Sequence, residues 1–268
     1  MNLSQLLPDI PQIFLGILVI DFLRYFVAVL LVYGLVWRVF ARQLQTRKIL
    51  PEGLKAGQMA REFKQSMATV LIFAVSGLFI FLMNKLGKTQ IYNEVADHGV
   101  VWWWTSLALI VVLHDAWFYW THRLLHRPWW FAKFHSVHHR SVQPTPWAAY
   151  SFHPVEALLQ ALFFVLMVHT VPLHGLVLFV FLTWMILRNA IGHSGYELMP
   201  WRACTQGRLT WLLTNSHHHF HHARNQGNFG LYFTWWDRWM GTEDVHYIGN
   251  GNARFLAVSH VSTVTEAT

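Results

Sequence analysis

Four long apolar stretches constrain the fold of this chain more than any other feature of its sequence. Residues 12–36 are long enough to cross ~30 Å of hydrocarbon as a helix, and further apolar runs follow at residues 68–86, 100–120 and 155–191. The 268 residues are 54% hydrophobic and only 12% charged, with a mean hydropathy of +0.30. This composition is typical of an integral membrane protein. The sequence therefore predicts an all-α, multi-span membrane bundle.

The apolar stretch at residues 155–191 is interrupted by Pro172 and Gly175. These residues predict two helices joined by a tight turn. Each half is close to the minimum length that crosses a bilayer. The sequence is therefore compatible both with a spanning hairpin and with a re-entrant one.

Two charged residues lie inside the first apolar stretch. Asp21 and Arg24 are three residues apart, which makes them neighbours on one helix face. A charge within a membrane span is costly unless it is paired or faces protein. We interpret these residues as an ion pair packed against other helices, without a catalytic role.

The loop at residues 37–66 indicates the orientation of the bundle. It contains seven basic residues and two acidic ones, so the positive-inside rule predicts that it is cytoplasmic. Two spans later the chain returns to this side at His122, and a hairpin leaves residues 193–268 there too. This topology explains the net charge of +7 without a nucleic-acid partner. We expect an integral protein of a cell inner membrane or the endoplasmic reticulum, with its active site on the cytoplasmic face.

Three histidine clusters fall in the segments at this face. They are His122-x-x-x-His126, His135-x-x-His138-His139 and His218-x-x-His221-His222. A helix turns about 100° per residue, so imidazoles three and four residues apart share one face. Imidazole suits zinc, copper, iron and nickel, and one zinc site takes about four ligands. The eight imidazoles therefore predict a histidine-rich cap that holds two metal ions. The single Cys204 leaves nitrogen and oxygen as the ligand atoms.

Further histidines extend or compete with this ligand set. His193, at the predicted cytoplasmic end of the hairpin, is a candidate ninth ligand. His217 would pair with His221 at i+4, so the register of the third cluster stays open. His153 is a second alternative ligand.

Two residues upstream of His122 are candidate outer partners of the ligands. Asp115 precedes His122 by seven residues and Tyr119 precedes it by three, so both are expected near its helix face. Metal-bound imidazoles usually donate their second N–H to a carboxylate or a carbonyl. We therefore expect Asp115 to support a ligand, with an ion pair to Arg123 as the alternative.

Three other kinds of membrane metalloprotein are disfavoured. A haem protein would place histidine pairs inside the spans, whereas these clusters lie at span ends. A metal transporter would carry acidic and histidine residues at mid-membrane, which most of these spans lack. A zinc protease would show His-Glu-x-x-His, and this motif does not occur in the sequence.

Several segments together resemble the fatty acid hydroxylase/sterol desaturase superfamily. Asp115–His126 (DAWFYWTHRLLH) and His135–His139 (HSVHH) carry the resemblance first. It continues in His153–Glu156 (HPVE), His193–Glu197 (HSGYE), His218–His222 (HHFHH) and Trp236–Thr242 (WDRWMGT). The resemblance covers residues ~100–245, and the first hundred residues add no motif.

The resemblance implies a membrane-bound non-haem enzyme with two iron ions that uses O2 and a reductant to hydroxylate or desaturate lipids. It implies a catalytic region at residues 100–250, an N-terminal membrane region at 1–99 and a tail at 251–268. No Gly-x-Gly-x-x-Gly motif occurs, so electrons are expected from a separate ferredoxin, cytochrome b5 or reductase.

We expect the reaction to be hydroxylation of a sterol or a fatty acyl chain. Oxygen transfer is the default outcome once a hydrogen atom is taken, whereas desaturation also requires a second C–H bond to be held close. Desaturation at the same centre is the first alternative. A membrane metal-binding protein without oxygenase activity is the second.

Overall fold

Helices form most of the protein in the computed structural model, which describes residues 7–49, 53–200, 203–204 and 207–244. The main ones are α1 (Ile10–Tyr33), α2 (Gln58–Lys85), α3 (Gly99–Leu125), α4 (Pro154–Thr170), α5 (Gly175–Gly192), α6 (Asn215–Arg224) and α7 (Trp235–Trp239). Single α-helical turns occur at Pro128–Trp130 and Ser136–His139, π-helical turns at Gly34–Val39 and Phe131–His135, and 3-10 turns at Leu7–Asp9, Gln45–Arg47, Val95–Asp97 and Pro146–Tyr150. Two short strands, β1 (Ile91–Tyr92) and β2 (Leu173–His174), pair in parallel. The predicted tail at 251–268 lies outside the described residues.

Four of these helical segments are long and apolar enough to cross a membrane. They are Leu7–Val39, Gln58–Lys85, Gly99–Leu125 and Gly175–Gly192. Large apolar side chains such as Leu15, Leu71 and Val75 are exposed on their outer faces, which suits contact with lipid. The prediction of an all-α, multi-span membrane bundle is confirmed.

The α4–α5 hairpin runs the whole length of the bundle. Its tip carries β2, which pairs with β1 in the loop between α2 and α3. The Gln90 backbone N–H also donates to the Val168 carbonyl at 2.7 Å. Since that loop lies at the opposite end of α3 from the histidines, the hairpin reaches the far end of the bundle. The geometry therefore favours the spanning arrangement over the re-entrant one.

The second helix begins earlier than its apolar stretch. The sequence predicted a span from residue 68, but α2 starts at Gln58. The polar first turns are buried because a neighbouring loop satisfies them. Gln58 Nε2 donates to Glu62 at 2.8 Å and to the Gln143 carbonyl at 2.7 Å, and Thr145 donates to the same Glu62 carboxylate.

The basic loop and the histidine-rich segments lie at the same end of the molecule, as the sequence predicted. The Ile49 N–H donates to the Gly195 carbonyl at 3.0 Å, and the Glu197 N–H donates to the Arg47 carbonyl at 2.8 Å. These backbone bonds attach the loop after α1 to the segment after α5. The side of the membrane that this end faces stays a prediction, as does the division of the chain at residues 99 and 250.

The core between α1, α2, α4 and α5 is rich in aromatic rings. Tyr25 is fully buried and stacks on Tyr150 with ring centroids 5.5 Å apart. Phe73 of α2 meets the edge of the same Tyr150 ring at 5.1 Å. The 3-10 turn that ends at Tyr150 is thereby fixed beneath the histidine-rich end.

Candidate metal centre

Nine histidines meet in two clusters at one end of the bundle. Within each cluster, one ring nitrogen of every residue lies within 4.8 Å of those of the others. Cluster one contains His122, His126, His135, His139 and His221, and cluster two contains His138, His193, His218 and His222. All except His126 are buried. These are the nine residues that the sequence singled out as ligands, and their role as ligands stays a prediction.

Each His-x-x-His-His motif divides its imidazoles between the two clusters. His135 and His139 enter cluster one, while His138 enters cluster two. The motif on α6 divides in the opposite sense. His218 and His222 enter cluster two, and His221 enters cluster one. Side chains four residues apart on a helix differ by about 40°, whereas adjacent ones differ by about 100°. One such motif can therefore supply two ligands to one ion and a third to its neighbour.

In cluster one, most imidazoles donate their Nδ1–H to an oxygen outside the cluster. The acceptors are the Phe229 carbonyl for His122 (2.9 Å), the Asn225 carbonyl for His126 (3.1 Å), Glu156 for His135 (2.9 Å) and the Gly227 carbonyl for His221 (2.6 Å). A carbonyl or a carboxylate oxygen fixes the tautomer of the imidazole that bonds to it. The Nε2 atoms of these rings are therefore left without a proton.

The Nε2 atoms of cluster one point at one another, and those of His122, His126, His135 and His221 carry no proton. The Nε2 atom of His135 lies 3.1 Å from that of His122 and 3.1 Å from that of His139. His139 Nε2 is in turn 3.2 Å from His221 Nε2. Lone pairs at this distance repel unless a cation lies between them. Two nitrogens about 2.1 Å from one ion and about 90° apart would be about 3.0 Å from each other, so the donor set fits a metal ion.

Cluster two has the same inward arrangement with fewer outer partners. His193 Nδ1 donates to the Asn189 carbonyl at 2.8 Å, and His138 Nδ1 donates to the Ser151 carbonyl at 3.3 Å. The Nε2 atoms of His193 and His218 lie 3.1 Å apart. Within the described part of the chain, Nδ1 of His218 and both ring nitrogens of His222 are buried without a partner. Buried polar atoms without a hydrogen-bond partner are rare in proteins. A metal ion bound to these nitrogens would be such a partner.

The two clusters share a wall of imidazole rings. The ring of His222, in cluster two, lies 4.7 Å from that of His139 in cluster one and 4.6 Å from that of His138. Neighbouring sites of this kind suit a pair of metal ions that act together.

The neutral state of these imidazoles also suits metal binding. Burial lowers the pKa of His193 to about 4, and burial lowers the pKa values of His138, His218 and His222 well below 6.5. The rings are therefore neutral at pH 7. A neutral imidazole is the form that binds a metal.

Local structure explains how each ligand segment is positioned. Phe131–His135 is a π-helical turn, a feature that is frequent at functional sites. This turn places His135 next to Glu156, which lies in the first turn of α4.

The α6 helix is capped by Thr214, whose side chain accepts from the His217 N–H at 3.1 Å. Asn215 Nδ2 donates to the Ile191 and Tyr196 carbonyls, which fixes the start of α6 against the end of α5.

The loop at residues 225–230 supplies three of the outer acceptors. Asn225 and Asn228 have φ angles of 59° and 58°, in the left-handed region that asparagine tolerates better than most residues. A Cβ atom at Gly227 would lie 2.5 Å from the Thr242 carbonyl oxygen, so only glycine fits there. Backbone carbonyls carry no sequence signal, and sequence reasoning therefore missed this loop.

Asp237, at the start of the last motif, holds that loop in place. Its carboxylate accepts from the backbone N–H groups of Phe229 and Gly230, both at 2.8 Å, and from Thr242 Oγ1 at 2.8 Å. Trp236 stacks on Tyr119 of α3 with centroids 5.8 Å apart. The Trp235–Trp239 helix thus closes the histidine-rich end over α3.

The structure corrects the roles expected for Asp115 and Tyr119. The Asp115 carboxylate accepts from the Tyr232 N–H at 2.8 Å and the Phe233 N–H at 3.3 Å, and no imidazole bonds to it among the described residues. Tyr119 bonds to Thr242 Oγ1 at 2.9 Å. Both residues therefore support the segment after α6. Among the described residues, the carboxylate that accepts from an imidazole of the two clusters is that of Glu156. Its signal in the sequence was its place in the first turn of a helix after His153-Pro154.

The two alternative ligands lie outside both clusters. His153 caps α4, since its Nδ1 accepts from the Val155 N–H at 3.2 Å. His217 Nε2 lies 3.7 Å from Asp237 Oδ2. The third motif therefore has the register that places His218, and not His217, in a cluster.

Apolar rings separate the clusters from the membrane side. Phe118 meets the ring of His122 at 4.9 Å, and Phe152 meets that of His138 at 5.3 Å. Both border a small void of about 20 Å³. Its walls include Phe73 and Tyr150, which also border a cavity of about 340 Å³ between α1, α2, α4 and α5. The two spaces thus share part of their walls, and the smaller one reaches the phenyl rings that contact His122 and His138.

Comparison with known proteins gives a consistent set of relatives. The fatty acid hydroxylase family model matches residues 107–242. A delta(7)-sterol 5(6)-desaturase of Aspergillus fumigatus is 31% identical over 227 residues, which cover 76% of this chain and 67% of the relative. Lathosterol oxidase of Mus musculus is 29% identical over 72% of this chain and 63% of the relative. Methylsterol monooxygenase 1 of Rattus norvegicus is 34% identical over 54% and 49%, respectively.

The alignments leave part of each relative without a counterpart, since they cover between 49% and 67% of the lengths of these three proteins. No solved structure matches the chain. The segment that matches the family model, residues 107–242, begins before His122 and ends after His222. It therefore contains every histidine of both clusters.

Proposed function

Since the chain belongs to the fatty acid hydroxylase/sterol desaturase superfamily, we propose that it is a membrane-bound di-iron oxidoreductase that hydroxylates a lipid C–H bond. The relatives are named as sterol desaturases, a lathosterol oxidase and a methylsterol monooxygenase, which favours oxidation of a sterol or a similar lipid. The observation that carries the proposal is the pair of inward-facing imidazole clusters at the end of an apolar bundle.

Each cluster would hold one iron ion. The five imidazoles of cluster one and the four of cluster two are neutral, convergent nitrogen donors, a ligand type that iron accepts. A pair of irons held there would supply the redox chemistry by which O2 attacks an unactivated C–H bond. The described residues that approach both clusters offer no thiolate, so the ligands themselves resist oxidation.

The protein contributes positioning and exclusion of water. Glu156 and the carbonyls of the 225–230 loop orient the imidazoles of cluster one. Phe118 and Phe152 cover the membrane side of the clusters, where an alkyl group would meet the centre. Holding the reacting carbon in one orientation and keeping water out are the two effects that such an apolar site provides.

The balance of the reaction requires an external reductant. Hydroxylation converts C–H, O2, two electrons and two protons into C–OH and one water. The chain contains no dinucleotide-binding motif, so the electrons would come from a ferredoxin, a cytochrome b5 or a reductase. The basic loop after α1 lies at the same end as the clusters, and it offers a surface that would attract an acidic donor.

Desaturation is the second candidate, and the name of the Aspergillus fumigatus relative favours it. It consumes the same O2, electrons and protons, but it removes two hydrogen atoms from the lipid and releases two waters. The two reactions share every residue discussed above. They differ in whether the second C–H bond is held near the centre.

The test uses the iron-loaded protein in lipid nanodiscs with a chemical reductant, ¹⁸O2 and a sterol-containing lipid extract. Incorporation of ¹⁸O into a new alcohol supports hydroxylation. A new double bond without label supports desaturation. If no lipid changes in an O2-dependent way although iron is bound, the protein is a metal-binding protein without this activity and the proposal is wrong.

We also propose that the histidine end faces the cytoplasm of a cell inner membrane or of the endoplasmic reticulum. Single cysteines placed at Gln45 and Glu94, in a Cys204→Ser background, lie at opposite ends of the bundle. A membrane-impermeant maleimide added to intact bacterial cells should label only the Glu94→Cys protein. In sealed microsomes, whose cytoplasmic face is outside, it should label only the Gln45→Cys protein. The opposite labelling in either system would reverse the topology.

A further inference from the structure

Asp21 and Arg24, the charged pair inside the first span, border a large cavity in the bundle. This cavity of about 340 Å³ is lined mostly by apolar side chains. Asp21 and Arg24 are among the few polar groups on its wall. Its volume lies within the range of roughly 300–1,000 Å³ typical of pockets that bury small molecules.

The charged pair does not satisfy its own hydrogen-bonding capacity. An Arg24 Nη2–H donates to Asp21 Oδ1, and no other hydrogen bond of either side chain occurs among the described residues. A guanidinium carries five N–H donors, and a carboxylate has about four acceptor sites. The side chains are 11% and 13% exposed. Donors and acceptors therefore remain available to a molecule in the cavity.

The charged pair lies at the level of Phe73, a residue that the cavity shares with the small void beside Phe118 and Phe152. A Cβ atom at Gly77 would be 3.0 Å from Ile17 Cγ2, so Ile17 of α1 and Gly77 of α2 lie at the same height in the bundle. The two consecutive helices run in opposite directions. Asp21 is therefore at the height of Phe73, about 6 Å closer to the histidine end. Phe73 and Tyr150 border both the cavity and the small void beside Phe118 and Phe152.

We propose that Asp21 and Arg24 form a binding site for the hydroxyl group of an uncharged lipid substrate. A hydroxyl group can donate to the Asp21 carboxylate and accept from the Arg24 guanidinium at the same time. A carboxylate or phosphate would be repelled by Asp21, and a plain hydrocarbon would cover both charges without replacing their lost hydration. The substrate is thus a hydroxyl-bearing lipid, and its oxidised carbon lies in the part of the molecule near that hydroxyl.

This inference rests on the proposed function only in that the ligand is the substrate of the metal centre. Binding is therefore measured without turnover, with the iron-loaded protein in nanodiscs, without O2 and without reductant. The probes are a fluorescent conjugated-triene sterol with a free 3-hydroxyl group and its 3-methyl ether. Energy transfer from tryptophan to the triene reports binding of either probe.

The wild-type protein should bind the free sterol about tenfold more tightly than the ether, because one hydrogen-bond donor is missing from the ether. The double variant Asp21→Leu/Arg24→Met should bind both probes about equally. Replacing a whole ion pair by apolar residues is often neutral for stability. If this variant fails to insert, Asp21→Asn/Arg24→Gln takes its place, and the preference should fall at least about threefold.

The matched control is Asn84→Leu, which removes a polar side chain at the other end of the same cavity. It should keep the preference of the wild-type protein for the free sterol. Equal binding of both probes by the wild type, a preference kept by the double variant, or a preference lost only in Asn84→Leu would each overturn the inference. A hydroxyl preference without any O2-dependent oxidation would instead disprove the proposed function and leave this site intact.

Discussion

The two histidine clusters differ in how firmly the protein holds their imidazoles. In cluster one, four of the five Nδ1 atoms bond to an outer oxygen. In cluster two only His138 and His193 do so among the described residues, and one of these bonds is long at 3.3 Å. Outer partners orient a ligand and raise its basicity. We therefore expect cluster one to bind its ion more tightly than cluster two.

The origin of this difference lies in what surrounds each cluster. Cluster one is enclosed by the 225–230 loop and by Glu156, which are fixed in turn by Asp237 and by the start of α4. Cluster two lies where α5 ends and α6 begins. Within the described residues, the one oxygen to which the His193 ring donates is the carbonyl four residues before it. The comparison teaches that equal ligand spacing in the sequence does not imply equal support in the fold.

The largest effect is expected from removing one ligand of each cluster. His135→Ala should leave about one iron ion per chain, in cluster two, since His135 Nε2 contacts two other members of cluster one. His138→Ala should likewise leave about one, in cluster one. Both variants should lose lipid oxidation by at least about a hundredfold, because two irons are required.

Iron analysis and the ¹⁸O2 assay check this prediction. His219→Gln is the matched control, since His219 belongs to the same run and is buried but lies in neither cluster. It should retain two irons. Two irons per chain in either alanine variant would show that the replaced residue is not a ligand.

A smaller effect should follow from weakening the support of cluster one alone. Glu156→Gln removes the negative charge that accepts from His135 Nδ1, and it should lower the iron affinity of cluster one by about 10–100-fold. Cluster two should be unchanged. Competition with a chelator of known affinity measures both sites. Glu94→Gln, the same substitution at an exposed carboxylate on the far end, is the control, and an equal loss at both clusters would contradict the assignment.

Much of the fold could be predicted because apolar length and histidine spacing are local signals. The four spans were found from composition, and the common end of the loop and the clusters followed from the positive-inside rule. The start of α2 was missed because its first turns are polar and become buried only against residues 141–145. The reach of the α4–α5 hairpin to the far end of the bundle was shown by the pairing of β1 with β2, which no local pattern reveals.

The candidate site could be predicted as a set of residues but not as two sites. Spacing placed His135, His138 and His139 on one face, yet only the fold decides which ion each one approaches. Asp115 was assigned to His122 from helix periodicity, but a backbone segment 117 residues away competes for the same carboxylate. The carbonyls that orient cluster one belong to an irregular loop, so they lay beyond any pattern of side chains.

The unequal support of the clusters also predicts two steps of metal loss. When the iron-loaded protein is titrated with a chelator, one ion per chain should leave at a concentration about tenfold lower than the other. The first ion should come from cluster two. Repeating the titration with His138→Ala, which lacks that ion, should show only the later step. A single step in the wild type that releases both ions would mean that the outer hydrogen bonds do not set the affinity.

The smallest effect should be the response of the clusters to mild acid. Burial lowers the pKa of His193 from 6.5 to about 4, and cluster one contains His135, whose pKa burial and its imidazole neighbours lower well below 6.5. In the unfolded chain these groups become protonated below about pH 6.5. The stability that they contribute is therefore complete above pH 6.5 and is lost as the pH falls from there towards 4. The thermal unfolding midpoint should stay constant between pH 8 and pH 7 and then decline below 6.5, whereas the folded protein should keep both iron ions until the pH is well below 6.5. If cluster two alone lost its iron between pH 7 and pH 6, its imidazoles would be solvated, and the difference between the clusters would be one of burial and not of hydrogen bonding.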